Sequence, residues 1–210
     1  MEREEELPNI IFILVDDLGW KDVGFMGSKF YETPNIDSLA KRGMVFTNAY
    51  AASAVCSPTR ASIMTGKYPA RLGITDWIRP IYWRDTASLH KEYVGDSTRK
   101  LLCPANPYWM DLEEVTIAEA LRDQGYVTAH IGKWHLGDKG YFPEDQGFDY
   151  NIGGCDIGQP PSYFDPYINK LMPDGIPGLP ARDSGEYLTD RESLEALNFI
   201  STHHDKSFFL

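Results

Sequence analysis

The sequence predicts an α/β layered domain built on a largely parallel sheet, and three observations predict it. Short apolar runs alternate with segments that carry helix start and stop residues. The first run, Asn9–Val15, is apolar without interruption, as expected of a strand covered on both faces. With 42% apolar residues and 13% aromatics, the 210-residue chain can fill a core.

Taken in order, Asn9–Val15 is the first predicted strand and stops at Asp16-Asp17-Leu18-Gly19. A helix follows over 33–43. Thr33 is a candidate cap, Pro34 suits the first helical position, Ile36, Leu39 and Ala40 share a face, and Gly43 ends it. Met44–Ala49 reads as a second short strand. Ser57-Pro58 opens a helix that runs to Thr65-Gly66 by the same logic.

From Lys67 to Glu114 the chain is aromatic and Pro-rich with weak periodicity, so loops and short insertions are expected. A helix over Thr116–Gln124, stopped by Gly125, leads into a strand at Tyr126–Ile131. Gly132–Gly140 is a glycine-rich loop and Phe148–Ile152 a further strand. Cys155–Gly185, studded with Pro and Gly, reads as a long surface excursion. Thr189-Asp190-Arg191-Glu192 has capping-box spacing and opens a helix to about Thr202. Phe208-Phe209-Leu210 begins another strand, and an ending of this kind reads as a chain cut short. The whole of 1–210 is expected to be one domain.

Charge and cysteine content exclude several classes of protein. Thirty-one acidic against 20 basic residues give a net charge of −11, which argues against nonspecific binding to nucleic acid or to anionic membranes. Three cysteines are too few for a disulfide scaffold. No run approaches the ~18 apolar residues a membrane-spanning helix needs. The acidic start, Met1-Glu2-Arg3-Glu4-Glu5-Glu6, lacks the basic and apolar regions of a secretory signal. A cytoplasmic location is expected, or a periplasmic or secreted one if a leader was removed.

Three groups of residues can carry chemistry. Asp16-Asp17 closes the first predicted strand, where parallel sheets place their ligands. Adjacent carboxylates repel unless a cation lies between them, and hard oxygens suit Ca²⁺ or Mg²⁺; the same pair also fits a solvated acidic turn. Cys56 precedes a helix N-terminus whose exposed N–H groups favour negative charge, and Arg60, one turn on, offers a planar fork for sulfate or phosphate oxygens. A lone Cys can equally be a small buried apolar residue. Lys133 and His135 follow a predicted strand; in an extended loop both would face one cavity, one as a fixed charge and one as a proton carrier. They also fit an ordinary polar loop with Trp134 packed beneath.

Cys103 and Cys155 have no metal-ligand spacing. His203-His204 suits a helix end for the dipole alone. The aromatic residues between Tyr68 and Trp109 fit either a substrate cleft or a core cover.

Together these blocks resemble a known family. Cys56-Ser57-Pro58-Thr59-Arg60 with Thr65-Gly66 is similar to the signature of the type I, formylglycine-dependent sulfatases. Pro8–Gly19 resembles that family's first strand and metal-binding Asp pair. Thr33–Asp37 and Gly132–Gly137 match further blocks in the right order, so the resemblance runs from about Pro8 to Leu210.

The resemblance implies an alkaline-phosphatase-like α/β/α fold, incomplete at its C-terminal end, and an arylsulfatase-like hydrolysis of sulfate esters. It implies that a maturation enzyme oxidises Cys56 to Cα-formylglycine, whose hydrate attacks sulfur with one hydroxyl and expels sulfate through the other. It implies one Ca²⁺ held by Asp16, Asp17 and the modified Cys56. Arg60 would orient the hydrate, Lys133 would bind the sulfate, and His135 would assist proton transfer. The substrate would be a small-molecule or carbohydrate sulfate ester. The family's remaining metal ligands, an Asp and an Asn, lie beyond position 210. A phosphonate or phosphodiester hydrolase of the same superfamily, or an inactive fragment, is the alternative.

Overall fold

The computed structural model describes residues 7–80, 92–93, 98, 100–102, 104–182 and 185–210. It divides into two compact units, residues 1–12 with 52–210, and residues 13–51. No helix among the described residues is long and apolar enough to cross a membrane.

The larger unit is organised by a parallel sheet. Strand β3 (Val127–Ile131) pairs with β4 (Tyr150–Ile152) on one side and β5 (Phe208–Phe209) on the other. A parallel bridge at Ile10 extends the sheet beyond β5, through Ile10 N–H to the Phe208 carbonyl at 2.8 Å and Phe12 N–H to Leu210 at 2.7 Å. Alternation along the strands then sorts side chains into two layers. Phe208 meets Phe199 of α5 (Leu188–Thr202) edge-on at 5.6 Å, beside Ala129. Its neighbour Phe209 turns the other way and stacks on Phe148 at 5.9 Å. That second face is closed by Ala61 of α2 (Cys56–Thr65), Ala118 of α4 (Ile117–Arg122), and Met110, Trp134 and Leu136. Helices therefore lie on both faces of a parallel sheet, the expected α/β/α arrangement.

Local signals explain most of the helices. Thr116 caps α4 in a capping box, accepting Glu119 N–H while Glu119 accepts Thr116 N–H. Gly66 ends α2 at φ +67, a conformation that costs glycine little. The expected loop region from Lys67 contains one more turn of helix, α3 (Pro69–Leu72), and a short antiparallel pair, β1 (Glu92–Tyr93) with β2 (Asn106–Pro107). Cys103 and most of 81–99 lie outside the described residues.

Four local expectations are corrected. Asn9–Val15 is not a doubly covered strand: it contributes one bridge, and Ile11–Val15 stay 40–76% exposed because no layer covers both of their faces. Met44–Ala49 forms no strand, and Met44 and Phe46 are exposed. Helix α5 starts at Leu188 with Tyr187 as its cap residue, so Thr189 sits inside the first turn and makes no capping box. Its start is set instead by a tertiary bond, Leu188 N–H to the Tyr163 carbonyl at 2.8 Å. The Cys155–Gly185 excursion is more than surface. Cys155, Ile157, Tyr167, Ile176, Leu179 and Leu188 form a second buried cluster. Pro and Gly in this segment shape a fold-over loop with its own core.

In the smaller unit, α1 (Pro34–Arg42) has Pro34 at its first position. Thr33 does not cap it through the usual amides. Its hydroxyl accepts Gly24 N–H at 2.8 Å and donates to Asp37 at 2.8 Å, and Asp37 also accepts Phe25 N–H at 2.9 Å. These bonds tie the 3₁₀ turn Gly24–Met26 to the helix.

Candidate functional site

Helix α2 begins at Cys56, with Val55 as a cap residue whose side chain makes no capping bond. The amides of the first turn therefore lack a side-chain cap, the situation that favours an anion at a helix start. The approach to the helix is pinned: the Thr59 hydroxyl donates to the Ser53 carbonyl at 2.7 Å, and the Ser53 hydroxyl accepts Val55 N–H at 3.2 Å. Cys56 itself is half-buried.

Two links carry this helix start to the loop after β3. Arg60, 9% exposed, donates Nη1 to the backbone carbonyl of Lys133. The Ser57 hydroxyl, fully buried, accepts Ile78 N–H at 2.9 Å, and the Ile78 carbonyl faces His135 Nε2 at 2.8 Å. Cys56, Arg60, Lys133 and His135 are thus drawn into one region of the larger unit by residues adjacent to them. Lys133 is half-buried and His135 is 1% exposed.

The Gly132–Gly140 loop is not extended. His135 has φ +60, a left-handed conformation uncommon outside Gly, Asn, Asp and His, so the two-residue alternation expected for Lys133 and His135 does not describe it. The strained turn is held by His135 N–H to the Cys155 carbonyl at 2.8 Å. Trp134 does pack beneath, 1% exposed, with its indole N–H on the Tyr141 carbonyl at 2.9 Å.

Electrostatics around Arg60 extend into the core. His130, on β3, is held down to about 3, first by burial and then by the Arg60 charge. Its ring lies edge-on to Trp134 at 5.2 Å and to Phe148 at 5.4 Å. Burial raises the Glu192 carboxyl above its ordinary range, with Arg60 opposing that shift. A neutral His and a protonation-prone Glu beside one guanidinium leave Arg60 as the fixed cation of the cluster.

Asp16 and Asp17 lie in the smaller unit, exposed, in a turn where Asp17 has φ +57. Their hard carboxylate oxygens fit Ca²⁺ in kind. Among the described residues no three His, Cys, Asp or Glu side chains gather as a metal group, so the fit is partial in number.

The remaining candidates keep their bland roles. Burial pushes the Cys155 thiol up to about 12, which makes it an inert core residue. His203 Nδ1 donates to the Phe199 carbonyl at 2.9 Å at the end of α5. Of the aromatic residues, Trp77 sits beside the His135 ring, centroids 6.4 Å apart, while Trp109 stacks on Tyr141 at 4.6 Å. Sequence reasoning missed Ile78 and Gly158, which lie against the His135 ring, and Asn106, which bonds residues 75–77. None belongs to a spacing pattern, and no local signal marks them.

Comparisons with known proteins identify the family. The sulfatase family model matches residues 8–210. Steryl-sulfatase of Homo sapiens is 41% identical over 153 residues, covering 70% of this chain and 23% of that protein. N-acetylgalactosamine-6-sulfatase of Mus musculus is 35% identical over 221 residues, 97% of this chain and 38% of that protein. The crystal structure of Ps i-CgsB in complex with k-i-k-neocarrahexaose superposes with a TM-score of 0.73 at 32% identity, covering 97% of this chain and 44% of that one. The chain spans less than half the length of each of these relatives.

Proposed function

The chain belongs to the sulfatase family, and on that premise we propose that it hydrolyses sulfate esters from the region built on Cys56, Arg60, Lys133 and His135. The observation that carries the reading is the double link from the start of α2 to the loop after β3, Arg60 to Lys133 and Ser57 through Ile78 to His135. It gathers a nucleophile precursor, two cations and a proton carrier.

Cys56 is the residue a maturation enzyme converts to Cα-formylglycine. The hydrated aldehyde then supplies one hydroxyl to attack sulfur, releasing the alcohol, and a second whose deprotonation expels sulfate and restores the aldehyde. Arg60 orients that group through its planar guanidinium. Lys133 binds the sulfate oxygens as a point charge. His135 moves the proton during elimination. Asp16 and Asp17 would supply carboxylate oxygens to a Ca²⁺, and that ion would supply positive charge for an anionic ester.

The names of the relatives differ in the organic part of the ester, which supports the sulfate ester, of a small molecule or a carbohydrate, as the shared substrate. The test uses the whole protein made in a host with the maturation enzyme. Mass spectrometry of tryptic peptide 43–60 should show the thiol-to-aldehyde mass loss, and Cys56→Ala should abolish turnover of an aryl sulfate. Calcium should raise the melting temperature, and Asp17→Ala should remove that rise. Unmodified thiol in a preparation that still turns over would sink the reading.

A further inference from the structure

The segment after α3, residues 74–79, is held by one side chain 30 residues away. Asn106, 1% exposed, accepts Thr75 N–H at 2.9 Å and Asp76 N–H at 3.0 Å through Oδ1. Its Nδ2 reaches the carbonyls of Asp76 at 3.2 Å and of Trp77 at 3.4 Å. Asp76 adds a bond of its own, accepting Trp77 N–H at 2.8 Å. The next peptide, Ile78, is fixed at both ends, its N–H on Ser57 and its carbonyl on His135 Nε2.

A carbonyl oxygen only accepts. Nε2 therefore carries a proton in the neutral ring and in the charged one, and the proton that comes and goes does so at Nδ1. The ring cannot swing away to reverse this. A Cβ placed on Gly158 would lie 2.5 Å from His135 Cε1 and 2.9 Å from Nε2, so the Gly158 backbone packs against the ring. The His135 backbone is anchored to the Cys155 carbonyl at 2.8 Å.

We propose that Asn106 is a positioning residue: by fixing residues 75–77, the peptides leading into Ile78, it keeps the Ile78 carbonyl where it holds His135 as the Nε2–H tautomer, so that Nδ1 is the nitrogen that exchanges protons with the reacting group. This rests on the reading of His135 as the proton carrier of sulfate-ester hydrolysis. A general base helps only if its acceptor nitrogen faces the proton it takes, so a small displacement matters: a shift of about 1 Å can cost about 10²-fold in rate.

The test uses the whole protein with ¹⁵N-labelled histidine. Long-range ¹H–¹⁵N spectra, with His135 assigned by its loss in His135→Gln, should show neutral His135 protonated at Nε2 and unprotonated at Nδ1. Asn106→Ala should mix the tautomers, shift the His135 titration, and lower kcat about 10²-fold at nearly unchanged KM. Asn106→Asp, which keeps the acceptor for Thr75 and Asp76, serves if the alanine variant does not fold, and should fall between the two. Gly158→Ala should disturb the same His135 signals by pressing on the ring. Neutral His135 protonated at Nδ1 in the unsubstituted protein overturns the proposal. So does a folded Asn106 variant with an unchanged tautomer and an unchanged pH profile. The spectra need no turnover, so an Nε2–H ring in a protein that hydrolyses no sulfate ester would count against the proposed function and leave the Asn106 device standing.

Discussion

The guanidinium of Arg60 donates to the backbone carbonyl of Lys133, 73 residues further along the chain. This bond joins the second turn of α2 to the loop leaving β3, and it places a buried positive charge next to His130 and Glu192. One side chain thereby acts as a structural clamp, adds to burial in keeping His130 neutral and opposes burial at Glu192.

Arg60→Met keeps most of the volume and removes the clamp. The loss of a charge-assisted hydrogen bond should cost about 1.5–3 kcal/mol in urea or guanidinium unfolding. Because the Arg60 charge helps hold His130 neutral, the same variant should raise the His130 pKa part of the way back, read by NMR titration. A destabilised variant with an unmoved His130 would show that burial alone sets that histidine.

His130 also predicts an acid limb. Its folded value is about 3, below the ordinary 6.5, so below pH 6.5 the unfolded chain binds a proton that the folded one does not. Stability should therefore fall as pH drops from 6.5 towards 3, by at most about 1.4 kcal/mol per pH unit from this group. His130→Gln cannot take that proton and should flatten the slope over this window. Equal slopes in the two proteins, from denaturant midpoints at each pH, would assign the acid limb to other groups.

Arg191 fastens α5 to the second core. It is 2% exposed, donates Nε to Glu195 at 2.8 Å and Nη1 to the Pro180 carbonyl at 3.0 Å, and pairs with Glu186 at 3.3 Å. Burial works against its charge, but the bonds to Glu195 and Glu186 outweigh it and hold the group above its ordinary value. Arg191→Met leaves Glu186 without its cation while Glu195 keeps Arg182 at 2.8 Å, and should destabilise the protein by about 1.5–3 kcal/mol, the loss of charge-assisted hydrogen bonds. Arg191→Lys keeps the charge without the fork and should lose less. The order of the two chemical midpoints is the check.

Gly137 sets how closely the Trp109–Tyr141 stack approaches the loop after β3. Its φ is +147, and an added Cβ would lie 2.6 Å from Tyr141 Cβ and 2.8 Å from Trp109 Cβ. Gly137→Ala must spread that stack or move the loop, at a cost of at least about 1–2 kcal/mol. A changed tryptophan emission together with a lowered melting temperature is expected. An alanine variant as stable as the parent would mean that the loop yields freely.

Much of this protein is legible in its sequence because the relevant signals are local. Pro34, Thr116, Gly66 and Gly125 mark helix ends through backbone preferences that operate within a few residues. The apolar run of 126–131 names β3, and Cys56-Ser57-Pro58-Thr59-Arg60 names the family. The membership, the parallel α/β class and the identities of Cys56, Arg60, Lys133 and His135 as candidates are all found there.

Only tertiary structure decides what those residues face. Asn9–Val15 is more apolar than β3, yet whether such a run is buried depends on layers supplied from elsewhere in the chain. Tyr187 rather than Thr189 begins α5 because Leu188 finds its partner at Tyr163. His135 meets the Ile78 carbonyl 57 positions back, and the residues just before Ile78 are bonded to Asn106 about 30 positions on. Such hydrogen bonds cost chain entropy to close, and only the packed fold offsets it. A sequence therefore names His135 as a candidate, while the folded protein determines which of its ring nitrogens meets a carbonyl.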